Sequence, residues 1–345
     1  MYKIIILFFT MSLSYGQIKP VDIEIVRDAF GVPHIYGRSD ADTAYGLAWV
    51  HSEDDFMTIQ KAYLAGNQLL SSYLANGGII VDFLTQFIES KKTVDALFHT
   101  LSDDFIKILE AYSQGINRYA ELHPEEVLVK DLFPITPKKM LNYSFLQLFI
   151  SNGADQLVSK IISNNTVDLS NLGINDDIQG SNTFAFNNNK TKNGETYLAI
   201  NTHQPLDGPN SWYEVHLNSE EGTNILGATF AGAPCILTGV NEHLAWTHTV
   251  NYPDKADLFK LKMHNSKKNI YLVDNKEHKL KKYKAKLKYR ILGINIGIKK
   301  TYYKSIFGPT LKNKSGYYSV RTPSLYNIKA LEQWWRMNKA TSFME

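Results

Sequence analysis

The sequence predicts an α+β fold on three observations. Apolar residues recur at helical spacing in the front part, short β-prone runs fill the rear, and a polar stretch with neither period separates them. The 345 residues allow one large domain or two modest ones. With 44% hydrophobic and 21% charged residues, the composition excludes a disordered chain. A net charge of +3, from 37 basic and 34 acidic residues, is too small to point to nucleic acid.

Residues 1–16 read as a secretory signal. Lys3 is followed by a short apolar run, Ile4 to Phe9, and then by small and polar residues with a cut expected near Gly16–Gln17. The run is too short to span a bilayer, so no membrane span is expected after its removal, and the protein is expected to be periplasmic or secreted. A buried N-terminal strand is the alternative, disfavoured by the basic flank. Cys235 is the single cysteine, which excludes an internal disulfide. Its apolar neighbours, Gly232 to Leu237, make it a small buried hydrophobe rather than a catalytic thiol.

The front segment, 17–160, opens with a strand over Ile23 to Val26. Helices are expected over Ala41 to Leu70, Asp104 to Leu122 and, after the breaker Pro137, Asn142 to Ile161. Residues 161–180, rich in Asn, Ser and Asp, form an exposed loop or excisable linker. Strands follow over Thr183 to Phe186, Tyr197 to Ile200, Trp212 to Leu217, Ile225 to Phe230 and Leu258 to Met263. Asn193–Gly194 signals a hairpin between the first two. Lys281 to Ile298 alternates as one long ribbon, and Lys279, Lys281, Lys282, Lys284 and Lys286 read as a solvated strand face, not a phosphate-binding patch. Ala330 to Glu345 is expected to be helical.

Chemistry concentrates at Gln179-Gly180-Ser181-Asn182, where the polar loop meets the first rear strand. If the Ser181 hydroxyl attacks the Gly180 carbonyl, the acyl group moves from nitrogen to oxygen and the ester then hydrolyses. Glycine on the acyl side leaves room for the attack. The product begins with Ser181 and carries hydroxyl and α-amine on one residue. An α-amine has a pKa of about 7.7–8, so it can act as base for its own hydroxyl. Taken alone, Gly-Ser is an ordinary turn. No Gly-x-Ser-x-Gly elbow occurs, which disfavours a conventional serine hydrolase triad.

The surroundings raise that reading. Arg27-Asp28-Ala29-Phe30-Gly31-Val32-Pro33-His34-Ile35 resembles the opening of the penicillin acylase family of N-terminal-nucleophile hydrolases. So do Asp42 to Asp54, Ser181-Asn182-Thr183-Phe184-Ala185-Phe186, Asn201-Thr202-His203, Trp212 to Leu217, and Gly239 to Val250, in the family's order. The resemblance implies a four-layer αββα sandwich, here incomplete, with a helical first chain and a second chain, 181–345, cut from one precursor. It implies hydrolysis of the amide of a small N-acyl compound to an acid and an amine, with no cofactor for the chemistry. Ser181 matches the nucleophile and Gly180–Ser181 the cleavage site. His203, 22 positions on, matches a residue that positions amine and substrate, and Val250 one whose backbone N–H forms half of the oxyanion hole. Asn182 is given a supporting role at the strand edge, and Pro33 and His34 a structural one in an extended turn.

Some relatives bind calcium, which implies a structural site at Asp254 and Asp257 with Asp155 as third ligand. A solvated loop without metal is the equal alternative. Gln204 departs from the large apolar residue usual after the histidine, which puts a simple phenyl or alkyl pocket in doubt. The blocks around His248-Thr249-Val250 and Tyr303 to Pro309 look most like acyl-homoserine lactone acylases and cephalosporin acylases, the former slightly preferred. The chain stops at Glu345, before the family's second oxyanion donor, an asparagine, so it reads as truncated and is expected to be unstable or nearly inactive alone. The rival readings are a non-catalytic secreted relative that binds or scaffolds, and an acylase for a β-lactam side chain or a lipopeptide.

Overall fold

The structure, a computed structural model, describes residues 17–163, 180–250, 254–291 and 294–345. The expected signal and most of the expected linker lie outside these residues. No described helix is long and apolar enough to cross a membrane.

The front segment folds as α1 (Asp40–Gly66), α2 (Leu70–Leu74), α3 (Ile79–Phe87), α4 (Ser90–Leu97), α5 (Asp103–Leu122), α6 (Pro137–Ser151) and α7 (Ala154–Ser163). A capping box starts α1: the Ser39 hydroxyl accepts from the Asp42 amide, and the Asp42 carboxylate accepts from the Ser39 amide. The helix kinks at Asp55 (φ −156°, ψ 59°), whose carboxylate takes the Thr58 amide and restarts it. Helix α5 lies against α1 so closely that a Cβ on Gly115 would come within 2.6 Å of the Tyr45 carbonyl oxygen. The helix expected over Asn142 to Ile161 is two helices, because the chain turns at Gly153 with φ +71°. Pro137 opens α6 rather than preceding it, at a position where its missing N–H costs nothing. The short helices α2 to α4 were not foreseen; five to nine residues give too few turns for the period to register.

Strands β1 (Glu24–Arg27) and β2 (Pro33–Gly37) come from the front segment. The rear contributes β3 (Ser181–Phe186), β4 (Tyr197–Thr202), β5 (Tyr213–Ser219), β6 (Asn224–Thr229), β7 (Thr238–Asn241) and β8 (Ala245–Trp246). One sheet runs β1-β2-β5-β6-β7-β8 and is antiparallel except where β2 meets β5, with His34 opposite His216. Pro33 and His34 therefore belong to a strand, not to the extended turn expected. Pro33 is tolerated because it opens the strand. Strands β3 and β4 form a separate hairpin.

The second large sheet contains β9 (Asp257–Lys260), β13 (Lys281–Ile291), β14 (Ile294–Ser305), β15 (Gly308–Asn313) and β16 (Gly316–Arg321), in the order β13-β14-β15-β16-β9. Strands β10 (Lys262–Met263), β11 (Ile270–Val273) and β12 (Lys276–Lys279) make a small sheet beside it. The stretch expected as one ribbon over Lys281 to Ile298 is the β13–β14 hairpin, since alternation is identical in both strands and does not report the turn. Helix α8 (Ala330–Lys339) follows.

Two polar knots tie front to rear, and a third fastens α8 to the rear sheet. Arg27 grips Asp54 with both terminal nitrogens, at 2.9 and 3.1 Å, and the Tyr213 hydroxyl donates to the same carboxylate at 2.5 Å. The buried Asp40 carboxylate accepts from Ser219, Thr223 and Lys339, each at 2.6 Å, which joins the start of α1 to the β5–β6 turn and to α8. Asn338 of α8 clamps Ile236, accepting its amide at 2.9 Å and donating to its carbonyl at 2.8 Å. Cys235 is buried and free, and burial pushes its thiol pKa up, as an inert core residue requires.

Candidate active site

Strand β3 begins at Ser181 and pairs antiparallel with β4, with Ser181 opposite Thr202 and Asn182 opposite Asn201. Side chains alternate along a strand, so Ser181, Thr183 and Ala185 share one face of the hairpin while Asn182 and Phe184 share the other. Thr183, Ala185 and Leu198 line a groove of about 1380 Å³ between the hairpin and α8. Trp246, Trp335 and Met337 supply its apolar wall, and Glu332 and Arg336, paired at 2.9 Å, a polar one. The hairpin face that carries Ser181 is thus the face that opens on the groove.

The Ser181 hydroxyl donates to the Gly180 carbonyl oxygen at 2.6 Å. It receives the His203 backbone N–H at 3.4 Å. The imidazole of His203 lies elsewhere, because position 203 follows β4 on the alternation of Asn201, not of Thr202. Its Nε2 sits 2.8 Å from Asn201 Oδ1 and 3.3 Å from Asn182 Nδ2. The shorter contact fits an Nε2–H donating to the Asn201 oxygen. Asn182 and His203 therefore meet on the face away from the hydroxyl, and only the backbone of His203 reaches it.

Val250 lies four residues after β8 and is 42% exposed. No hydrogen bond among the described residues joins it to Ser181. The segment leading to it is held by His248, whose role the sequence did not reveal. The Nε2 of His248 receives the Trp334 indole N–H at 2.8 Å and lies 3.1 Å from the Leu237 carbonyl oxygen. Burial lowers its pKa, which keeps the ring neutral and able to accept. The usable signal was a histidine two residues before an expected oxyanion donor, but its partner comes from α8, 86 positions away.

The calcium set is not assembled. Asp155 lies in the first turn of α7, where burial raises its pKa. Asp257 opens β9 opposite Arg321, and Asp254 is exposed. Among the described residues these three do not come within shared ligand distance; His123, Glu125 and Glu126 do, at the exposed end of α5. Three acids brought from two separate elements, one half-buried and one facing an arginine, do not fit a calcium ion in this arrangement.

The family profile described as Penicillin amidase matches residues 22–345. The chain belongs to the penicillin amidase family. An acyl-homoserine lactone acylase PvdQ of Pseudomonas fluorescens is 26% identical over 375 residues, covering 97% of this chain and 48% of that protein. An acyl-homoserine lactone acylase QuiP of the same species is 22% identical over 289 residues, covering 69% of this chain and 35% of its own length. A thermostable penicillin G acylase from Alcaligenes faecalis aligns over 46% of this chain and 29% of its own, at 23% identity and a TM-score of 0.39. This penicillin amidase chain spans about half the length of the PvdQ relatives it matches. The mixture of helices and sheets agrees with the α+β class expected for it.

Proposed function

We propose that this penicillin amidase chain carries the nucleophile of an exported acylase, and that Ser181 is that nucleophile. The carrying observation is the position of its hydroxyl, between the Gly180 carbonyl and the His203 amide, on the strand face that opens on the large groove. In maturation, Oγ bonds to the Gly180 carbonyl carbon and the C–N bond breaks, leaving an ester. That break frees the Ser181 α-amine, and water then hydrolyses the ester to a Gly180 carboxylate and restores the Ser181 hydroxyl.

In turnover the amine, at a pKa of about 7.7–8, takes the proton of its own hydroxyl, directly or through one water. Oγ then attacks the carbonyl carbon of the substrate amide, and the tetrahedral oxyanion is met by backbone donors, with the Val250 N–H as the assigned one. The amine product leaves with the proton, and water releases the carboxylic acid from the acyl-serine. The His203–Asn201 hydrogen bond braces the strand end and keeps the His203 amide aimed at Oγ, with Asn182 packed beside it. The chemistry needs no cofactor.

The substrate we assign is an acyl-homoserine lactone. Tryptophan, leucine and methionine side chains along the groove suit an acyl chain, and the acylases PvdQ and QuiP carry that substrate in their names. β-Lactam amides are the control class. The test is mass spectrometry of the full-length exported protein, then incubation with acyl-homoserine lactones and with β-lactam amides of the same acyl groups. The expected result is a fragment beginning at Ser181, acid released preferentially from the lactones, and loss of both events in Ser181→Ala. A fragment starting elsewhere, or Ser181→Ala hydrolysing as well as the parent, would overturn the assignment. An intact, inactive protein would favour a binding relative.

A further inference from the structure

The β13–β14 hairpin is built differently on its two faces. By the register, Lys282, Lys284, Lys286 and Lys288 of β13 lie on one face with Lys299 of β14, and all five are exposed. Alternate residues are about 6.7 Å apart, so the lysines line a strip about 20 Å long. None of the five makes an ion pair among the described residues. The carboxylate acting on the strip, Asp82 near Lys288, is buried and already accepts the Leu70 and Ser71 amides.

The opposite face is apolar. Near the body it is covered: Ala285, Leu287 and Tyr302 are buried, and Tyr302 meets Phe87 of α3 at 5.9 Å. Gln86 fastens the outer edge of β13 there, donating to the Lys286 carbonyl at 2.9 Å and accepting its amide at 2.8 Å. From the Leu287–Ile298 pair outward the same face runs off the body. Tyr289, Ile294, Ile296 and Ile298 are 37%, 68%, 43% and 40% exposed on it. One arm thus combines an unpaired basic strip with a bare isoleucine tip.

We propose that this arm docks the protein on an anionic lipid bilayer surface. A purely polyanionic partner would use the lysines and leave the isoleucines in water. A bilayer interface takes both: an apolar face enters the headgroup boundary by about 5–10 Å, and basic side chains stay with the phosphates. Lysine stems are long enough to reach them from the far face, and Lys300, on the apolar face itself, reaches them directly. The inference stands independently of Ser181.

The test is co-sedimentation of the whole chain with phosphatidylglycerol vesicles and with phosphatidylcholine vesicles, at low and high salt, with a DNA duplex as a competing polyanion. Binding is expected to phosphatidylglycerol only, and to weaken with salt. Lys284→Gln with Lys299→Gln should weaken it about 25-fold, about fivefold per lysine. Ile294→Asp with Ile296→Asp should also abolish vesicle binding. These positions are exposed, and unchanged circular dichroism and melting would show that each variant is folded. Equal binding to both vesicles, or none to either, overturns the proposal. So does a tip variant that binds phosphatidylglycerol as the parent does while both hold DNA, which would make the strip a general polyanion site.

Discussion

His51 offers a direct test of how front and rear are held together. It is buried in α1, and its ring stacks on Tyr213 at 4.0 Å with the planes 7° apart, beside the Arg27–Asp54–Tyr213 knot. Its Nδ1 has no hydrogen-bond partner. Burial pushes its pKa down to about 4, against a weaker upward pull from Asp55 and Asp54. In the unfolded chain the ring takes its proton as pH falls through about 6.5. In the folded chain it stays neutral until about pH 4. Between these values the unfolded state binds more protons, so stability falls as pH falls, by at most about 1.4 kcal/mol per pH unit. The whole window amounts to about 3 kcal/mol.

His51→Phe keeps the stack and removes both the titration and the orphaned nitrogen. At neutral pH it should equal the parent or exceed it by about 1 kcal/mol. Urea unfolding of both proteins at several values from neutral to about pH 4.5 isolates the residue, because His248, Asp82 and Asp155 titrate in both. The difference between them should grow steadily as pH falls. Parallel stability curves would refute burial of a neutral ring as the cause.

Two further substitutions probe other joints. Asn338→Ala strips partners from the Ile236 amide and carbonyl and should cost about 2–5 kcal/mol in urea unfolding; a loss under about 0.5 kcal/mol would mean that α8 is held by other contacts. His203→Ala retains the backbone N–H that meets Ser181, so turnover should fall far less than the roughly 100-fold expected for losing a backbone donor. A variant as inactive as Ser181→Ala would show that the imidazole itself takes part.

Local chemistry was legible where it depends on nearest neighbours. The Gly180–Ser181 step, the helical period of α1 and α5, the alternation of β3 to β6 and the apolar setting of Cys235 all follow from residues within a turn or a strand of one another. Elements too short to show a period, such as α2 to α4 and β2, escaped. So did the break at Gly153, which a continuous apolar pattern hides.

The residue types by themselves determined an α+β chain with a serine poised after a glycine, because propensity, periodicity and bond chemistry are local. Only the tertiary structure decided which face of the hairpin meets the groove and that His203 reaches Ser181 through its amide. It alone decided that Trp334 seats His248, that Asp155 stays apart from Asp254 and Asp257, and that the lysines of β13 stand free opposite a bare apolar tip. Each of these depends on register or on packing between distant segments. Sequence spacing carries no record of either.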